Sequence, residues 1–353
     1  MKTTWITFSI LILLFPRLFA QTTNQKNQLT MNLQVRPRAE YRNGALNPRQ
    51  ANEEASAFIN NRTRLSLSYL TKGLSMGLSV QNATVWGQDA QVSRTANLNV
   101  YEAWAQLSNP NGYFLKVGRQ PLAYDDERLL GALDWNAAGR SHDALKAGFE
   151  NKEHKLHLIL AYNQTAENII GGTYYNTGGQ PYKTMQTLWY QFTGSDNFRP
   201  SLLFMNLGLE NGNNTLRLSE QVFQQTMGTH MIIKPVEKIG LTASAFYQSG
   251  KARSGTSISA WMMALQANVS LTSQLSLKAG SDYLSGEENT NNNTTYNAFN
   301  PLYGTHHKFY GAMDYFYASA FTGNLNPGLW DNYLGINLKP SKKLALSAVY
   351  HYF

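Results

Sequence analysis

Residues 28–42 read QLTMNLQVRPRAEYR, and the stretch separates cleanly by parity. Leu29, Met31, Leu33, Val35, Ala39 and Tyr41 alternate with Thr30, Asn32, Gln34, Arg36, Arg38, Glu40 and Arg42. Successive side chains of an extended chain point to opposite faces, so this is a strand with one apolar and one charged face. Residues 58–70, FINNRTRLSLSYL, repeat the pattern, with Leu65, Leu67 and Tyr69 on one side and Arg62, Arg64, Ser66 and Ser68 on the other. An arginine facing lipid at mid-bilayer costs about 2–4 kcal/mol. Exposing Arg36, Arg38, Arg62 and Arg64 to hydrocarbon would therefore cost on the order of 10 kcal/mol, which requires a wet interior with the apolar faces turned outward.

The same period-two pattern runs outward from these strands to the end of the chain, through segments such as NVYEAWAQL (99–107), KLHLILAY (155–162), WMMALQANV (261–269) and KLALSAVYHYF (343–353). Fifteen strands are expected. Their connections alternate between short, such as TKG (71–73) and SNPNG (108–112), and long, near 43–56, 87–96, 121–141, 164–183, 210–222, 250–257 and 285–328. Tight turns at one end and long loops at the other mark an all-β, transmembrane, antiparallel up-and-down barrel. Trp86, Trp104, Trp189, Trp261 and Trp330 lie in or near strand ends, where aromatic girdles are expected to meet the head groups.

The whole composition agrees. The 353 residues are 42% hydrophobic, 12% aromatic and only 15% charged, which excludes disorder, and a mean hydropathy of −0.38 is too low for a helical membrane protein. No cysteine is present, so disulfides, thiolate metal sites and cysteine nucleophiles are excluded. Residues 1–20, MKTTWITFSILILLFPRLFA, have the basic start, short apolar run and small final residue of a secretory signal peptide, leaving residues 21–353 as one outer-membrane barrel domain. The net charge of +8, or +6 once Lys2 and Arg17 leave with the signal, favours anionic partners. Nucleic acid fits poorly, because the arginines point inward rather than over an exposed patch.

Within the lumen, Lys116 and Lys146 join the arginines by parity, and Glu40 and Glu102 are acids placed to pair with them. Fixed positive charge would admit carboxylated polymer; paired with acids, the same residues would serve only to satisfy the barrel wall. The loop 121–141 carries Asp125, Asp126, Glu127, Arg128, Asp134 and Arg140, and its DERLLGALDW reads as a short helical turn. It is expected to fold inward, with Arg128 and Arg140 reaching substrate while its acids hold the barrel arginines, or else to plug the pore. Asp125 and Asp126 lack the regular ligand spacing of a calcium loop. His306–His307 and His142–Asp143 place adjacent side chains on opposite faces of a strand, which cannot jointly hold an ion. HExxH does not occur and no Gly-rich strand-to-helix phosphate loop is present, so no enzyme and no cofactor is expected.

The segment LKVGRQPLAYDDERLLGALDWNAAGRSHDALKAGF (115–149) resembles the strand, inserted loop and returning strand of the alginate export porin family. RPRAEYR in the first strand, NRTRLSL in the second and FNPLYGTHHKFYGAMDYF (299–316) resemble the same family. The resemblance implies an eighteen-stranded barrel whose basic lumen, Arg119 of GRQ included, passes an acidic polysaccharide across the outer membrane. Its implied partners are outer-membrane lipid, an acidic polysaccharide or oligosaccharide, and periplasmic export components. Fifteen strands would leave the first and last parallel, whereas such barrels are even-numbered, and the expectation is a chain lacking C-terminal strands. A general anion-preferring porin and a loop-mediated surface-binding protein are the alternatives.

Overall fold

A computed structural model describes the chain except residues 1–26, 45–48, 50, 94–96, 168, 170–174, 176–178, 212–219, 288–293, 313, 315 and 317–325. The signal peptide assigned to residues 1–20 lies outside the described residues, as does most of the Asn-rich segment 289–297. The strands are β1 (Gln28–Arg42), β2 (Ser56–Thr71), β3 (Leu74–Val85), β4 (Asn99–Ser108), β5 (Tyr113–Gln120), β6 (His142–Glu150), β7 (His154–Tyr162), β8 (Thr184–Phe192) and β9 (Phe198–Asn211). They continue as β10 (Glu220–Val236), β11 (Ile239–Gly250), β12 (Ser257–Ile258), β13 (Ala260–Ser270), β14 (Leu275–Leu284), β15 (Thr295–Tyr296), β16 (Leu329–Ser341) and β17 (Leu344–Tyr352).

Fifteen of these form one antiparallel sheet in chain order, with β1 and β17 at its edges, and the two-residue β12 and β15 pair separately within the loops. This is the expected strand set and the fold of an up-and-down barrel. Short connections gather at one end and long ones at the other. Gly112 shows why the short turns need their glycines. Its φ is +91°, and a Cβ there would meet the Glu150 carbonyl oxygen at 2.2 Å.

The outward face is apolar as the alternation requires. Leu33 and Val35 of β1 are 64% and 61% exposed, while Arg36 and Arg38, of the opposite parity, turn inward. Trp86, Trp261 and Trp330 stand outward at the long-loop rim, 62%, 47% and 63% exposed. Trp104 and Trp189 do not join that girdle. Their indole N–H groups donate inward, to Glu102 Oε2 at 2.9 Å and Asp125 Oδ1 at 3.1 Å, and a buried indole must find such an acceptor.

The inner face is not polar throughout, contrary to a simple inside-wet reading. In β9, Leu203 and Met205 are buried inside while Leu202 and Phe204 face out, and Met262 and Met263 divide the same way in β13. The apolar residues in the lining of β7 to β14, which share that face with buried polar ones such as Thr187 and Thr226, are covered by two inserted segments. Leu122, Tyr124, Leu129 and Leu130 of the β5–β6 loop, with Phe299, Tyr303 and Tyr310 of the β14–β16 loop, form one buried cluster with Ile159, Met185, Leu203 and Phe246 of the wall. The core of this barrel therefore sits inside it, against one wall.

Candidate pore constriction

The β5–β6 loop crosses from that apolar wall to the arginines of β1 and β2. Pairing places Arg36 directly opposite Arg62 and Gln34 opposite Arg64, so four guanidinium groups crowd one patch of inner surface. Like charges placed so destabilise a sheet unless something intervenes. The loop intervenes. Arg36 donates to the carbonyls of Asp134 (2.7 Å) and Asn136 (2.8 Å), and Arg38 to that of Trp135 (2.7 Å). Arg62, 1% exposed, donates to Asp134 Oδ1 at 2.8 Å, and Gln34 Oε1 accepts its Nε and Nη2 at 2.9 and 2.6 Å. Arg64 reaches the same Asp134 oxygen at 3.3 Å, donates to Gln81 Oε1 at 2.8 Å, and lies 3.5 Å over the Tyr101 ring.

Most of these acceptors are neutral carbonyls and amides. They satisfy the N–H groups without cancelling the charge, so among the described residues the four arginines are ion-paired only with the carboxylates of Asp134 and Glu40. Glu40 is itself shared with Arg42 at 2.6 Å. The patch remains cationic.

On its other side the loop is clasped by the segment 301–310. The Tyr303 N–H donates to the Leu129 carbonyl at 3.0 Å and the Gly131 N–H to the Tyr303 carbonyl at 2.9 Å. The Thr305 hydroxyl and Lys308 both bind the Glu127 carboxylate, and Trp135 stacks on His307 at 4.1 Å. Burial pulls the Glu127 value up, but the bonds from Lys308 and Thr305 outweigh it and hold the carboxyl below its ordinary range. Burial also lowers His306 to about 4, and its neutral Nε2–H donates to the Pro301 carbonyl at 3.1 Å.

Several expected site residues have other employment. Arg128 and Arg140 were expected to reach substrate. Arg128 is instead 4% exposed, ion-paired with Asp126 and Asp282 at 2.9 Å each, under the ring of Phe309 at 3.9 Å. Arg140 donates to the carbonyls of Tyr303 and Gly304 and so ties the two loops together. Of the loop acids, only Asp134 holds the barrel arginines; burial raises the Asp125 carboxyl, which accepts from Trp189. No helical turn forms over DERLLGALDW, because Asp125, Glu127 and Leu133 take φ of +56°, +70° and +52°, in the left-handed region. His306–His307 lie in a short 3-10 turn rather than a strand.

Arg119 departs from the lumen set. It pairs with Ala103 and Asp143 in register with the outward, 54% exposed Val117, and binds Asp143 at 3.0 Å near the long-loop rim. Lys116 and Lys146 face inward directly opposite each other, and Glu102 faces inward beneath Trp104 and Ser79. Asp282, Thr305 and Tyr310 were not anticipated. Asp282 sits on the inner parity of β14 and was open to the same reading as the arginines; the loop partners had no such signal.

An alginate export family model matches residues 19–353. No curated protein matches the chain. Among solved structures, an anion-selective porin from Comamonas acidovorans aligns at 13% identity with a TM-score of 0.50, covering 91% of this chain and 87% of that one. OccAB4 of Acinetobacter baumannii aligns at 11% and 0.51, covering 92% and 82%, and OccK11 (OpdR) of Pseudomonas aeruginosa at 11% and 0.52, covering 92% and 79%. At such identities the likeness speaks for the barrel fold alone.

Proposed function

Because this chain belongs to the alginate export family, and is thereby an outer-membrane channel, we propose that it passes an acidic polysaccharide or its oligomers through a lumen made selective by Arg36, Arg38, Arg62 and Arg64. One observation carries the reading: four arginines of β1 and β2 converge on the segment 134–138 of the inserted loop, held mainly by neutral acceptors that leave their charge uncancelled. A cationic constriction lowers the entry barrier for polyanions and raises it for cations. Transport is diffusion or threading past that patch, with no covalent step; the alginate export family and porins are channels rather than enzymes. Periplasmic export components would meet the tight-turn end.

Flux from liposomes tests this. Entrapped polyuronate oligomers are expected to leave through the purified protein faster than neutral dextrins of equal length, and replacement of all four arginines by Ser should abolish the preference. Equal rates in the native protein would overturn the proposal. A general anion porin would instead lose small-anion preference in the variant while polyuronate flux stayed unchanged.

A further inference from the structure

Lys116 and Lys146 are directly opposed on β5 and β6, and both face the lumen. Like charges in that position repel, and a barrel wall normally sets an acid between them. Here, among the described residues, neither ammonium forms an ion pair. The nearest inward carboxylates are committed elsewhere: Glu102 accepts from Trp104 Nε1 at 2.9 Å and from Ser79 Oγ at 2.8 Å. Glu150 binds His157 at 2.8 Å and Lys155 at 3.6 Å.

What the ammonium groups do have is aromatic. Lys116 Nζ lies 3.5 Å from the centroid of Trp104, and Lys146 Nζ 5.5 Å from that of Phe114. Both rings lie flat on the wall because the residues behind them are glycines. A Cβ on Gly77 would meet Trp104 at 2.5 Å, and one on Gly148 would meet Phe114 at 2.6 Å. A cavity of about 260 Å³ opens beside Phe114 and Lys146, lined also by Gln106, Ser108, Asn109, Gly112 and by Glu150, the acid held by His157 and Lys155. Two unpaired cations over flat rings, beside amides and a hydroxyl, match a ring that is apolar on its face, hydroxylated at its edge and carboxylated once.

We propose that Lys116, Lys146, Trp104 and Phe114 form a binding subsite for a carboxylate-bearing sugar residue of the transported chain. It lies about 10 Å inside the tight-turn rim, counting 3.3 Å per strand residue from Tyr113. The carboxylate bridges the two ammonium groups, replaces their mutual repulsion with two charge-assisted bonds, and holds the chain on the approach to the arginine constriction. This rests on the polysaccharide-channel reading above.

Single-channel currents of the full chain in planar bilayers test it, with a tri-uronate added on the tight-turn side. The native channel should be blocked transiently. Block should weaken about tenfold for each ammonium removed in Lys116→Gln and Lys146→Gln, the size of one charge-assisted hydrogen bond. A neutral trisaccharide should not block, and acetate should relieve the block only at far higher concentration. Because each substitution removes a repulsion, the variants should resist heat at least as well as the native protein; if the double variant does not insert, either single variant decides. Equal block in native and variant channels would overturn the subsite while leaving the channel reading intact. Relief by acetate as effective as uronate would reduce the site to a plain anion site and overturn the sugar. No block of the native channel by uronate would end both.

Discussion

Asp282 and Asp134 each show how one carboxylate fixes an arginine that cannot reach water. Asp282 is 1% exposed and pairs with Arg128, itself 4% exposed, at 2.9 Å across the lumen. Removing one partner of a buried pair leaves an uncompensated charge, so Asp282→Asn should destabilise the barrel by about 3 kcal/mol in denaturant unfolding from lipid vesicles. The apolar double replacement of Arg128 and Asp282 should recover much of that loss. The clasp is also acid-sensitive. His306 and Glu127 both have folded values below their unfolded ones: the stability tied to His306 is full above about pH 6.5 and is lost as pH falls through about 4, and that tied to Glu127 is lost only at the acid end, below the ordinary carboxylate range. Channel conductance should therefore grow larger and noisier on acidification from pH 7 to 4 and stay level on alkalisation. Glu127→Gln should remove the most acidic part of that response.

At the scale of elements, the strands were legible and the loops were not. Period two depends only on which face meets lipid, and Arg36, Arg38, Arg62 and Arg64 could be oriented from cost alone because hydrocarbon cannot hold them. Arg119 was placed in the lumen by the resemblance and not by parity, and its register with Val117 turns it outward. β9 and β13 hid their inner face because leucine and methionine serve on both sides once a loop covers the wall. The loop 121–141 was assigned a helical turn on composition, whereas contacts with Tyr303, Thr305 and the barrel arginines impose left-handed residues on it. The outward face gives a sharp test. Leu334, 66% exposed near the middle of β16, should cost about 2–4 kcal/mol as Leu334→Arg, while Leu107→Arg by the tight turn should cost about 0–1 kcal/mol. Equal costs at the two depths would contradict the membrane placement.

Across the whole molecule, the lumen has two unlike walls. The β7–β14 side combines apolar side chains with buried polar ones such as Thr187, Thr226, Gln248 and Asp282 and is filled by inserted segments; the β1–β6 side carries the arginines, the opposed lysines and their aromatic supports. The loop 121–141 bridges the two, using apolar side chains on one wall and backbone carbonyls on the other. On the proposed channel reading, anchoring by carbonyls lets the same arginines hold a constriction and keep it cationic. The zero-current potential of the purified protein in a planar bilayer, under a tenfold KCl gradient, reads this charge directly. Its sign should follow chloride, and it should shift toward zero when Arg36, Arg38, Arg62 and Arg64 are replaced by Ser; a potential that follows potassium in the native channel would contradict a cationic constriction.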